Sequence, residues 1–277
     1  ANTTSISVSG TSNLGANVTT SGTQTYTGAT TLSTDITLTT SNSNVTFGST
    51  MDSDNIISPR DLTIDTGGTT ATIQFVGAVG DTAPLDVITI TGNLDLNAGI
   101  ANAAGITVES DMTVNEDITT TGAQTYNGDV IVSGDAILTT TNSKITFNGT
   151  VNSEASEAND LSLVVGTSEV EFNGIVGGAT NGSLGAITIT GALNLDAAIS
   201  SATSLSVSGT SNLGANVTTS STQTYIGAVT LSTDVTLTTT DSNVTFSSTI
   251  KSASAQSSNL VITAGTGNVT FGDTVGT

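Results

Sequence analysis

Apolar residues recur along this chain in short triplets of one shape: apolar, small polar, apolar. Ile36-Thr37-Leu38, Val45-Thr46-Phe47, Ile88-Thr89-Ile90, Met112-Thr113-Val114, Leu161-Ser162-Leu163 and Val269-Thr270-Phe271 are examples. Alternate residues of a strand face opposite ways. The outer pair therefore points inward and the Thr or Ser outward. β-Branched residues on both faces suit strands, and the spacing is not helical. Gly, Asn, Asp and Ser, the turn formers, fill the gaps. In the middle of the chain triplets start at Ile106, Met112, Ile118, Gln124, Val130 and Ala136, a step of six.

Strands of three with turns of three are too short for ordinary hairpins. They suit a coil with three flat sides, in which each strand pairs in parallel with the same side of the coils above and below. The pattern predicts an all-β parallel β-helix, a three-sided β-solenoid of about 20 residues per coil. The competing arrangement is a string of Ig-like β-sandwiches. It needs strands of five to seven residues, sparser turns and a heavy core residue such as Trp, of which there is none.

A longer period overlies the triplets. QTYTGATTLSTDITLTTSNSNVTF, from Gln24 to Phe47, returns at Gln124–Phe147 and at Gln223–Phe246, steps of 100 and then 99 residues. Residues 5–50 match 204–249 at 38 of 46 positions. The chain reads as one continuous solenoid over 1–277, with repeats at approximately 5–104, 105–203 and 204–277, the last truncated. Roughly five coils are expected per repeat, rising about 24 Å at ~4.8 Å per coil. The nine aromatics fall at three repeated positions: Tyr26, Tyr126 and Tyr225; Phe47, Phe147 and Phe246; Phe75, Phe172 and Phe271. They read as core. A stacking platform for sugars or bases would need them exposed.

Composition narrows the partners. Three Lys and Arg (Arg60, Lys144, Lys251) stand against 23 Asp and Glu, a net charge of -20. That argues against nucleic acid and against anionic membrane surfaces. No apolar run approaches a membrane span, so no membrane insertion is expected. No signal peptide opens the chain. The repeat pattern runs through both ends, so a longer array with a targeting segment upstream is expected.

Candidate chemistry is sparse. There is no His and no Cys, and the three cations do not recur between repeats, so no catalytic residue is assigned and the chain reads as not an enzyme. No phosphate-loop or dinucleotide pattern occurs, and no cofactor is expected. Asp35, Asp135 and Asp234 recur at one position beside a turn, and read either as solvated turn carboxylates or as weak calcium candidates. Neither the EF-hand spacing nor the glycine-rich nonapeptide of calcium-binding β-helices is present. Glycosylation triplets such as those at Asn17, Asn44, Asn148, Asn216 and Asn243 are numerous, as expected by chance in a chain rich in Asn and Thr.

The block TQTYxGxVTLSxDxTLTTTxSxVTF resembles the repeats of large secreted bacterial surface proteins, most of all the β-helical shafts of filamentous-haemagglutinin-type adhesins. The resemblance covers essentially the whole chain. It implies a right-handed coil and a non-catalytic extracellular or cell-surface shaft, with recognition done elsewhere. Expected partners are flanking repeats or further copies end to end, and beyond them surface glycans or other cells. The family's secretion domain carries Asn-Pro-Asn motifs, and neither Pro59 nor Pro84 sits in one. The alternative function is a carbohydrate-binding or carbohydrate-cleaving β-helix.

Overall fold

The structure is a computed structural model that describes residues 3–253 and 257–276. It is all-β, without a helix, and its parallel strands stack as a β-solenoid of about 13 turns, roughly 21 residues each, among the described residues. Every strand pairing described is parallel, which leaves no room for hairpin-built sandwiches. The chain forms two compact units, Ala1–Val130 with Thr139–Thr141, and Ile131–Leu138 with Asn142–Thr277.

In the first unit three sides alternate. One side stacks Ile6–Val8, Gln24–Tyr26, Val45–Phe47, Thr72–Phe75, Asn93–Leu96 and Met112–Val114. The next begins with Ser12–Leu14, Thr30–Leu32 and Met51–Ser53, and continues through the paired residues Val79, Ile100 and Ile118. The third holds Val18–Thr19, Ile36–Thr39, Leu62–Asp65, Leu85–Thr91, the end of Ile100–Val108, and Gln124–Tyr126. The strands starting at Met112, Ile118 and Gln124 lie at the six-residue step that the triplets predict.

Burial follows the triplets. Val45 and Phe47 are inside with Thr46 between them facing out, and the same alternation runs through Leu62–Asp65 and Ile145–Phe147. The inward residues fill the bore with aliphatic and aromatic side chains. Their removal from water is the main stabilising term, at about 25 cal/mol per Å² of apolar surface.

Coil length varies, and the turns set it. From Ile6 to Gln24 a coil takes 18 residues, from Gln24 to Val45 21, and from Val45 to Ile73 28. The last is long because the loop after Met51–Ser53 bulges outward. Four coils carry the first side from Ile6 to Leu94, and two more sides bring the chain to Ile106 on the third side. The 100-residue repeat therefore spans four and two-thirds turns, not the five expected from its length.

The second unit behaves likewise. Ile145–Phe147 stacks under Val170, Leu193, Ser211, Val229 and Ile250 on one side. Val244–Phe246, one repeat later, lies on another side with Leu161, Ile187, Leu205, Gln223 and Val269.

Corners break the strand ladder and leave backbone N–H groups without a strand partner. Asn and Asp side chains meet them across coils. Asn17 Oδ1 accepts the Thr37 N–H at 2.8 Å, Asp61 Oδ1 that of Val87 at 2.9 Å, and Asp160 Oδ1 that of Ala186 at 2.6 Å. These bonds are solvent-exposed, so each contributes no more than about 1 kcal/mol. At one corner the chain turns left-handed: Asn42, Asn142 and Asp241 have φ of 51°, 53° and 50°. The next coil places Gly67, Gly166 and Gly265 beside them, also at positive φ. A Cβ on Gly166 would collide with Asn142 Oδ1, so the stacked corner requires glycine there.

Candidate functional site

The most elaborate polar arrangement is the one the repeated Gln-Thr-Tyr brings inside. Gln24, Gln124 and Gln223 are 0 % exposed. They stand at the inward parity of their strands, where an apolar residue is the norm, so each amide needs partners. Tyr26 Oη donates to Gln24 Oε1 at 3.1 Å, Tyr126 Oη to Gln124 Oε1 at 2.9 Å, and Tyr225 Oη to Gln223 Oε1 at 3.2 Å. The Gln24 amide nitrogen shares its protons among Val18 O at 3.2 Å, Thr20 Oγ1 at 3.3 Å and Thr39 O, in the next coil, at 3.0 Å. Thr20 passes its own proton to Gly22 O at 2.6 Å. Gln124 and Gln223 repeat this with Thr120 and Thr139, and with Thr219 and Thr238. Each node ties three places: a corner, its following strand, and the next coil.

Burial pushes the Tyr26 hydroxyl up to about 12, and those of Tyr126 and Tyr225 further in the same direction. These phenols stay protonated as donors across the physiological range. They are locked into the fold and unavailable as acids, bases or nucleophiles.

The aromatics stack along the axis. Tyr26, Phe47 and Phe75 lie face to face in successive coils, with centroids 5.2 and 5.3 Å apart. Phe147 stacks on Phe172 at 5.1 Å, and Tyr225, Phe246 and Phe271 at 5.2 and 5.4 Å. In the first and third repeats the three repeated positions are thus three successive layers of one stack. Each contact adds about 0.5–1.5 kcal/mol beyond burial. Phe271, in the last described coil, is 46 % exposed.

The aspartates Asp35, Asp135 and Asp234 all do corner work. Their Oδ1 atoms accept the N–H of Asp61 at 3.2 Å, Asp160 at 2.8 Å and Asn259 at 2.7 Å. Asp234 also takes a bond from Asn259 Nδ2 at 3.1 Å, and the Asn259 backbone and side chain hold its carboxyl below the usual range. Among the described residues, no three Asp or Glu side chains converge as a metal site would require. The structure does not bring these three aspartates together.

Lys144 shows what happens when a corner residue changes. In the other repeats Asn44 Oδ1 accepts the Thr72 N–H at 3.0 Å and Asn243 Oδ1 that of Asn268 at 2.9 Å. Lys144 has no oxygen to offer. Its amine instead reaches Glu169, the residue at the Thr72 position, at 2.6 Å, and Glu171 at 3.4 Å. Glu169, then Glu171, raise its pKa. The pair is largely exposed and contributes little, under about 1 kcal/mol. Arg60 pairs with Asp54 at 2.9 Å across the base of the loop that carries Ile56 and Ile57.

Sequence reasoning missed the glutamine nodes. A polar residue at inward parity, three times over, was the available signal.

The fold and these nodes define the class, a parallel β-solenoid whose repeated motifs bind coil to coil. No family model, curated protein or solved structure matches the chain.

Proposed function

We propose that this chain is a non-catalytic structural segment of a secreted or cell-surface fibre or adhesin shaft. One observation carries the reading. The motifs that the repeats keep are those that hold neighbouring coils together. Gln-Thr-Tyr forms the buried nodes, Asn and Asp cap the corners, and the aromatics stack between layers. A chain kept for catalysis would repeat reactive groups in a cleft, whereas this one repeats the means of adding another coil. The acidic surface supports the same reading, because like charge discourages sideways association of long repetitive chains. Partners on this reading are further repeats or copies end to end, with surface glycans or cells met elsewhere.

Electron microscopy of the intact protein tests the proposal. Elongated filaments of uniform width are expected, together with silence on a glycan array and in polysaccharide turnover assays. Compact isolated particles, or measurable cleavage of a polysaccharide, would overturn it.

A further inference from the structure

We propose that Asn17, Asn44, Asn216 and Asn243 are acceptor sites for N-linked sugar. All four stand in Asn-Val-Thr. At each the valine points inward, with Val45, Val217 and Val244 0 % exposed, so Asn and Thr share the outer face. The side-chain oxygens are engaged: Oδ1 of Asn17, Asn44, Asn216 and Asn243 accepts the N–H of Thr37, Thr72, Thr236 and Asn268 at 2.8, 3.0, 2.7 and 2.9 Å. These bonds engage the oxygen of each amide and leave its nitrogen out of the corner. Nδ2 has no partner among the described residues, and all four asparagines are exposed.

The corner itself needs only the oxygen. Asp35 and Asp61 hold N–H groups of the next coil in the same way, and each is also followed by an apolar residue and Thr. Asparagine in place of aspartate therefore adds one thing, an accessible amide nitrogen two residues before a threonine hydroxyl on the same face. That is the pattern an N-glycosyltransferase reads. The donor is a sugar carried on a nucleotide or lipid diphosphate. A bond forms between sugar C1 and Nδ2, the C1–O bond to the diphosphate breaks, the diphosphate leaves with the electron pair, and Nδ2 gives its proton to a base of the transferase. Asn148-Gly-Thr and Asn181-Gly-Ser lie in turns, and Asn148 Oδ1 is occupied by Asn173 Nδ2 at 2.7 Å. They lack this presentation.

Peptide mapping by mass spectrometry, on protein taken from the cells that make it, tests the assignment. Hexose or N-acetylhexosamine is expected on Asn17, Asn44, Asn216 and Asn243. Asn44→Asp keeps the corner oxygen and should lose the Asn44 sugar alone, with unchanged thermal unfolding. Thr46→Val should lose the same sugar by a second route. Four bare asparagines, or sugar confined to Asn148 or Asn181, would overturn the proposal.

Discussion

Tyr26 and Tyr126 occupy the same place in two copies of Gln-Thr-Tyr, 100 residues apart, yet lie on different sides of their coil stack. Tyr26 pairs with Val8 and Phe47, and Tyr126 with Val108. The cause is the remainder of two sides in each repeat. A surface feature carried at one repeat position is thereby turned by a third of a revolution at the next. Duplicating a repeat thus redistributes its features around the axis.

Coil length can be checked with cysteines, since the chain has none of its own. Thr107 and Thr125 face each other in adjacent coils of one side, 18 residues apart. Paired parallel strands lie ~4.8 Å apart, within disulfide reach. Thr107→Cys with Thr125→Cys is expected to oxidise readily. Thr107→Cys with Thr113→Cys, on neighbouring sides, is expected to stay reduced. The opposite outcome would contradict the register.

The glutamine node should behave as a unit. Tyr225→Phe removes the donor to Gln223 Oε1 and leaves that buried oxygen unpaired, at a cost of about 1–3 kcal/mol. Gln223→Leu strands the Tyr225 hydroxyl and takes one donor from the Thr238 carbonyl, and is expected to cost at least as much. The double variant should lose clearly less than the sum, because the second change relieves the first. Denaturant titration of the four proteins measures this. Simple additivity would show that Tyr225 and Gln223 do not cooperate.

Repeats also show where the fold is imperfect. Thr30 Oγ1 is buried without a hydrogen-bond partner, and so is Ser12 Oγ, its neighbour in the adjacent coil. The positions equivalent to Thr30 are Val130 and Val229. Thr30→Val keeps the shape and removes the orphan hydroxyl, so a gain of about 1 kcal/mol is expected. A raised urea midpoint with an unchanged slope would bear this out. A lowered midpoint would mean that the hydroxyl has a partner.

Parity made much of this legible in advance. Val45 and Phe47 inside with Thr46 outside follows from strand geometry alone, and the six-residue step from Ile106 to Ala136 set strand and turn lengths together. The two-thirds turn was hidden because loop bulges, such as Asp54–Asp61, lengthen some coils and not others. Dividing a repeat by a mean coil length cannot resolve a third of a turn. The aromatic stack was hidden for a related reason. Phe47 touches Tyr26 and Phe75, which precede and follow it by one coil, whereas alignment pairs it with Phe147. Gln24, like Gln124, stands at the start of an ordinary triplet in the pattern. Its amide is stable there only because Tyr26, Thr20 and two carbonyls surround it, a fact of three dimensions.

Those same tyrosines should set an alkaline limit. In the unfolded chain a tyrosine ionises near pH 10.0, whereas burial holds the Tyr26 phenol to about 12 and those of Tyr126 and Tyr225 higher. Below pH 10 both states keep the proton, and stability is indifferent to it. Above pH 10 the unfolded chain releases protons that the folded chain retains, so unfolding becomes easier as pH rises. Each tyrosine contributes up to about 1.4 kcal/mol per pH unit until its folded pKa is passed, which for Tyr26 ends the loss near 12. Urea unfolding at pH 8, 10 and 11, with tyrosinate absorbance followed in parallel, is expected to show a flat first interval and a steep second one. Tyr225→Phe should make the second interval shallower by one tyrosine's share. Stability that held level from pH 10 to 11, or tyrosinate appearing while the coils remained folded, would show that these hydroxyls are open to solvent and that the nodes are not sealed.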